Sequence, residues 1–283
     1  MPQAPQIFDR KLIAARQARA AKLGPATFLL DRVADELAER LEAVNRKFQR
    51  AADVGTPADA VRRALAGKVG SMAGAVADAE ALPFAAGSLD LVVSALALQF
   101  VNDLPGALIQ IRRALKPDGL FLAALVGGES LTELRQAFAA AEAESEGGAS
   151  PRVAPFADLR DLGALLQRAG FALPVTDIDR VTVRYASPLE LMHDLRRMGA
   201  ANALTERRRV PLRRATLKRM MEIYAERFAG SDGRIAATFE IVWLSGWAPH
   251  ESQQQPLRPG SAKARLADAL RTTEISTGEK TGR

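Results

Sequence analysis

The sequence predicts an α/β sandwich built on a mostly parallel sheet. Two observations carry this reading. Residues 89–97 (LDLVVSALA) and 120–126 (LFLAALV) are continuous apolar runs, as strands buried on both faces require. Around them, segments with apolar residues spaced near 3.6 alternate with the strand candidates. With 283 residues, 48% of them hydrophobic and 25% charged, the chain can enclose a sizeable core without disulfides or metal staples.

In chain order, the first 44 residues read as helix. Pro25 suits a first helical position, and Phe28, Leu29, Val33, Leu37 and Leu41 follow at helical spacing. Residues 48–55 suit a strand. Thr56-Pro57-Ala58-Asp59 reads as a helix start, with Thr56 as cap, and the helix should run to Leu65 and stop at Gly67. Residues 68–74 are ambiguous, and 75–77 suit a brief strand leading to Asp78. After the 89–97 strand come a helix over 105–115, a turn at Pro117-Asp118-Gly119 and the 120–126 strand. Ser130-Leu131-Thr132-Glu133 has the form of a capping box opening a helix to Glu144. A helix over 158–169 ended by Gly170, a strand over 177–185, helices over 189–198 and 212–228 and a last strand over 235–246 complete the pattern. Residues 1–44 are expected as a helical extension, 187–230 as a helical insertion and 261–283 as a flexible tail.

Composition excludes several chemistries. There is no cysteine, so thiolate metal sites and cysteine nucleophiles are absent, and only His193 and His250 could offer imidazole. No apolar run reaches the roughly 18–20 residues that a membrane helix needs. The net charge of +6 admits acidic partners. The basic stretch 206–219 has no aromatic interleaved, so nucleic acid is not expected; a solvated helix face or an acidic protein is. Walker, nucleophile-elbow and complete dinucleotide glycine motifs are lacking. His193 reads as an ordinary helix histidine, and Trp243 and Trp247 as core.

In a parallel sheet, ligands bind beyond the carboxyl ends of strands, at the switch point. AADVG (51–55), ADAEALPF (77–84) and LDLVVSALALQFVNDLPGAL (89–108) stand there in the order that resembles class I S-adenosylmethionine-dependent methyltransferases. EGGASPRVAPF (146–156), DLGALLQRAGF (161–171) and WLSGWAPHESQQ (243–254) resemble more specifically the family of mitochondrial complex I assembly factor 5 and its bacterial relatives. The resemblance spans residue 7 to about 260. It implies a Rossmann-like methyltransferase sandwich and S-adenosylmethionine as cofactor. Asp53 would accept from the methionine ammonium, Gly55 would bring backbone close, Asp78 would face the adenine amino group and Ser94 would lie in the pocket floor. Asp90 reads as an anchoring carboxylate. Ser150, Arg152, His250 and Glu251 are the candidates for contact with substrate or partner. A subunit of NADH:ubiquinone oxidoreductase is the implied partner, and protein-arginine hydroxylation is the activity attributed to the mitochondrial relatives. Because IFDR (7–10) already belongs to the resemblance, a bacterial cytoplasm is expected ahead of the mitochondrial matrix.

Departures from the family pattern shape two further expectations. Pro57 removes a backbone donor and Asp59 adds negative charge where a cofactor carboxylate would dock, so residues 56–59 suit a helix cap better than a cofactor loop. Only 24 residues separate Asp53 from Asp78, too few for a helix and two further parallel strands. The sheet edge should therefore be truncated. Residues 68–74 hold no carboxylate to grip a ribose, so the nucleoside site should be weakened or absent. Methyl transfer to a protein or small molecule is the leading function; assembly or arginine hydroxylation, and non-catalytic partner binding, are the alternatives.

Overall fold

The computed structural model describes residues 6–75, 80–254, 268 and 271–273. The N-terminal segment forms two helices, α1 (Arg10–Leu23) and α2 (Phe28–Glu42). Asp9 caps α1 by accepting from the Leu12 N–H at 3.0 Å, and Gly24, at φ +79°, ends it. Pro25 lies in the link rather than at the start of α2, a correction to its predicted place. In α2, Leu30, Val33, Ala34, Leu37 and Leu41 share the buried face.

Among the described residues the sheet has six strands: β1 (Phe48–Val54), β2 (Val69–Ala75), β3 (Leu89–Ala95), β4 (Leu115–Val126), β5 (Ala172–Tyr185) and β6 (Ile235–Trp247). Their spatial order is β2-β1-β3-β4-β6-β5. The first four run parallel, while β6 is antiparallel to both β4 and β5. The chain leaves β1 outward to β2 and returns on the other side to β3, so the switch point lies between β1 and β3. Among the described residues only β2 lies outside β1, which is the truncated edge anticipated from the short Asp53–Asp78 interval.

Helices α4 (Leu104–Ala114) and α6 (Leu159–Arg168) cover one face, where Leu108, Ile111, Leu162 and Leu166 meet Val92, Phe121 and Leu244. On the other face α2 is joined by α5 (Thr132–Glu146), α7 (Pro188–Arg197) and α8 (Arg214–Phe228), whose buried side chains meet Leu91, Val93, Leu122 and Trp243. β3 is buried at every position. Within it Asp90 accepts from the N–H groups of Gln49 at 3.0 Å and Arg50 at 2.8 Å, tying β1 to β3 as the anchoring reading expects.

Several local expectations are corrected. The ambiguous segment 68–74 is strand β2, and the strand expected at 75–77 has only Ala75 in β2, residues 76–79 lying outside those described. The helix after β1 is only α3 (Ala60–Ala64), with Asp59 at its cap position and no side-chain capping bond. The predicted turn at 117–119 is absorbed into β4: residues 116–119 bulge between Leu115, opposite Leu89, and Leu120, opposite Leu91, with Asp118 at φ +61°. The capping box does not form. Leu131 holds the cap position at φ +56°, while Ser130 bonds the backbone of Glu240 and Glu133 accepts from Thr238 N–H at 3.1 Å and its hydroxyl at 2.5 Å. Both side chains serve β6 instead of their own helix.

The basic stretch is solvated in part, with Arg209, Arg213, Arg214 and Lys218 exposed, and in part tied to the protein's own carboxylates. Arg208 pairs with Glu146, Arg219 Nε donates to Glu144 at 2.6 Å, and Arg207 reaches Asp9 at 3.4 Å. Trp243 is fully buried and Trp247 half-buried, and His193 is exposed on α7. Residues 250–283 form a separate compact unit. Of the expected 261–283 tail, all but four residues lie outside those described.

Candidate functional site

A cavity of about 460 Å³ opens at the switch point, within the size range of small-molecule sites. Its floor comes from the loop after β1 (Gly55 to Ala58) and the segment after β3 (Leu96, Gln99, Phe100). Its roof comes from α1, the Pro25–Ala26–Thr27 link and the end of α7 at Arg197 and Met198. Arg197 fastens that roof: its Nε donates to Gly24 O at 2.7 Å, and its carbonyl accepts from Ala26 N at 3.3 Å. Nearer the chain start, Phe8 and Leu204 form an antiparallel bridge, and Phe8 exchanges backbone hydrogen bonds with the Asn102 side chain at 2.8 and 3.1 Å.

The loop after β1 is not an ordinary helix cap. Gly55 at φ +75° and Ala58 at φ +59° are both left-handed. A Cβ at Gly55 would lie 3.2 Å from the Ala97 Cβ, so the backbone passes close to the β3 exit. Thr56 is buried and faces the sheet: its hydroxyl donates to Asp53 Oδ1 at 2.5 Å and accepts from Ala95 N at 2.9 Å. Thr56 therefore cannot cap α3, which is why that helix starts three residues later than predicted.

Asp53 sits at the carboxyl end of β1, half-buried. Burial pushes its carboxyl up to about 6; hydrogen bonds from the Thr56 side chain and backbone, and the Arg62 charge, work against that rise. Its carboxylate forms no part of the cavity wall, and among the described residues no other carboxylate does. Ser94 is fully buried beneath the loop, its hydroxyl donating to Val54 O at 2.7 Å. Of the predicted cofactor residues, the structure thus brings Asp53, Gly55 and Ser94 together around one turn, with only Gly55 lining the cavity; Asp78 lies outside the described residues.

The other predicted positions lie elsewhere. Ser150 and Arg152 converge on Glu142 of α5, whose side chain is wholly buried. Glu142 accepts from Ser150 N at 2.6 Å, from the Ser150 hydroxyl at 2.8 Å and from Arg152 Nε at 2.7 Å. Burial alone would raise the Glu142 carboxyl, but these bonds outweigh it and hold it below its usual range. In the separate C-terminal unit, His250 and Glu251 are exposed; His250 Nδ1 lies 2.7 Å from the Ser252 hydroxyl and accepts from Ser252 N at 3.2 Å.

Sequence reasoning missed Gln99, Arg197 and the α1–α2 link. The link carried a signal, the Gly24-Pro25 break, which was assigned to a helix start instead of a cavity wall. Gln99 follows Ser94 by five residues and was legible only as part of a strand exit.

Comparison with known proteins places this geometry. Residues 36–123 match the family model of a methyltransferase domain. Over 98% of its length the chain is 36% identical to the arginine-hydroxylase NDUFAF5, mitochondrial, of Danio rerio, covering 94% of that protein. It is 38% identical to the Homo sapiens protein of the same name over 92% of this chain and 82% of that one. A malonyl-[acyl-carrier protein] O-methyltransferase of Gallionella capsiferriformans is 39% identical over 61% of this chain and 57% of its own. Among solved structures, the YcgJ protein of Bacillus subtilis shares the fold with a TM-score of 0.51 at 15% identity, over 76% of this chain and 98% of that one. On the length and level of these matches, the chain belongs to the NDUFAF5 family and is built on a class I methyltransferase domain.

Proposed function

We propose that the protein is an S-adenosylmethionine-dependent, methyltransferase-type member of its family that acts on a protein or small-molecule acceptor, with the switch-point cavity as the methyl-donor site. The observation that carries this is the cavity itself: about 460 Å³, floored by the loops after β1 and β3, where parallel sheets bind ligands. Gly55 lets backbone approach a ligand closely in the cavity wall. Asp53 remains the proposed acceptor for the methionine ammonium, although its carboxylate lies behind the β1 loop and forms no part of that wall. Asp78 remains the proposed partner of the adenine amino group.

When bound, the cofactor supplies an electrophilic methyl group on a sulfonium for in-line displacement. The chain's own part is positioning and exclusion of water. Phe100, Phe156 and Phe239 give the cavity apolar walls, and the α1–α2 link held by Arg197 closes it above. Asp53 and Thr56 hold the β1 loop against the β3 exit. We extend the family relationship to a partner, a subunit of NADH:ubiquinone oxidoreductase. Contact through Ser150, Arg152, His250 and Glu251 remains part of that proposal, Arg152 acting mainly by holding its loop to Glu142. For compartment, the reading keeps a bacterial cytoplasm, with the mitochondrial location in the relatives' names as the alternative that cell fractionation decides. No helix among the described residues is long and apolar enough to cross a membrane.

A second reading, partner binding or arginine hydroxylation without methyl transfer, draws on one observation. The β1 loop contains Pro57, without an N–H, and a left-handed Ala58, a poor cradle for a carboxylate. Calorimetric titration with S-adenosylmethionine separates the two. Saturable one-to-one binding is expected; absence of binding at millimolar ligand by folded protein overturns the donor site and leaves the partner reading, to be followed by co-purification with quinone-reductase subunits.

A further inference from the structure

We propose that Arg16, flanked by Arg207 and Arg19, forms an anion-binding site on α1 beside the cavity, and that it takes a carboxylate or phosphate group of the acceptor. The acceptor role rests on the donor-site reading above; the anion site itself stands on the chain's own charges. Ile13, Arg16 and Ala20 follow one another at helical spacing along one stripe of α1. Ile13, with Phe100 and Phe156 of the cavity wall, packs on the small apolar cluster of Phe8, Ala154 and Leu204, and Ala20 lines the wall itself. Arg16 is thus held between two points where α1 closes on the cavity. Among the described residues no hydrogen bond or ion pair reaches its guanidinium. Only Nη1 is sealed from solvent; Nε and Nη2, equally without a partner, retain accessible surface on a half-buried side chain.

The charges nearby do not neutralise it. Burial, Arg207 and Arg19 all push Arg16 below the usual arginine range, and Asp9 works against them. Asp9 is already committed: its Oδ1 accepts from the Leu12 N–H at 3.0 Å, and its Oδ2 lies 3.4 Å from Arg207 Nη2. Arg207 is in turn fixed in place, its Nη1 donating to Leu204 O at 2.7 Å. A guanidinium keeps its proton in such surroundings, so a partly buried cation stands among like charges without a counterion. The planar fork of an arginine meets an oxyanion through two parallel hydrogen bonds, which is the partner this arrangement lacks.

Inorganic phosphate and succinate are the probes, titrated at constant ionic strength, with chloride as the control, into nitrogen-labelled protein. The Arg16 Nε–H resonance, assigned by its loss in Arg16→Lys, should shift saturably at millimolar probe. Read from the backbone amides of residues 203–208, affinity should fall about tenfold or more in Arg16→Met, the worth of a charged hydrogen bond, and less in Arg16→Lys, which keeps the charge but not the fork. Thermal melting confirms that each variant is folded. Tighter binding of phosphate assigns a phosphate ester, and tighter binding of succinate a carboxylate. A response no different from that to chloride, or unchanged affinity in Arg16→Met, overturns the site. With S-adenosylhomocysteine bound, Arg16 should still take the probe; displacement of the probe would mean that the anion is the donor's own carboxylate, which overturns the acceptor assignment. Failure of S-adenosylhomocysteine to bind, with phosphate still held at Arg16, instead refutes the donor-site reading.

Discussion

Asp53 offers a direct test of the energetics around the β1 loop. Its carboxyl titrates near 6 in the folded protein, against 3.8 as the ordinary value, mainly because burial penalises the ionised form. Replacement by Asn keeps the shape and an oxygen to accept from Thr56, but removes the charge. The folded state binds the Asp53 proton more tightly than the unfolded chain, so between pH 3.8 and about 6 this residue makes stability fall as pH rises; above about 6 the penalty is constant. Integrated over that window it amounts to about 3 kcal/mol at most. Urea unfolding at pH 4 and pH 8 measures it. Asp53→Asn should match wild type closely at pH 4 and be more stable by up to about 3 kcal/mol at pH 8. A variant destabilised equally at both pH values would refute the reasoning, because Asp53 would then be stabilising as an anion through Thr56. Binding offers the complementary result: if the ligand's ammonium approaches Asp53, Asn at this position lowers affinity for S-adenosylmethionine even as it raises stability.

Three further outcomes follow from buried contacts. Arg152→Ala leaves the Glu142 carboxylate buried without its main cation, and urea unfolding should show a loss of about 3 kcal/mol. Gly127→Ala places a Cβ 2.5 Å from Glu240 Oε1 and 2.7 Å from Val242 Cγ2, so overpacking of about 1–3 kcal/mol is expected in the same assay. Asp90→Ala strips the Gln49 and Arg50 N–H groups of their acceptor and should cost about 1–3 kcal/mol, with faster amide exchange at those two residues.

What the sequence made legible follows from burial. β3 and the second half of β4 announce themselves because a strand covered on both faces must be apolar throughout, and Asp90 stands out there as the one charge that needs a backbone partner. The truncated edge was legible from chain length alone. β2 was not: VGSMAGA lies at the sheet edge with much of its surface exposed, so no burial pattern marks it. The Ser130–Glu133 and Thr56–Asp59 segments misled for a shared reason. Both have the composition of helix caps, but their hydroxyls are recruited by neighbouring strands, Glu240 in one case and Ala95 in the other, and local propensity yields to a tertiary partner. The site divides the same way. Gly55, Asp53 and Ser94 were found because they flank strand ends, whereas Gln99 and the α1–α2 link gain meaning only when the chain folds back over the cavity.

The central claim is that the switch-point cavity holds the methyl donor. A crystal structure of the protein grown with S-adenosylhomocysteine tests it most directly. The account predicts the ligand between Gly55 and Gln99, beneath the Pro25–Thr27 link, with its amino-acid end toward the β1 loop. A folded protein whose crystals show the ligand outside that cavity, or bind none at saturating concentration, would contradict it.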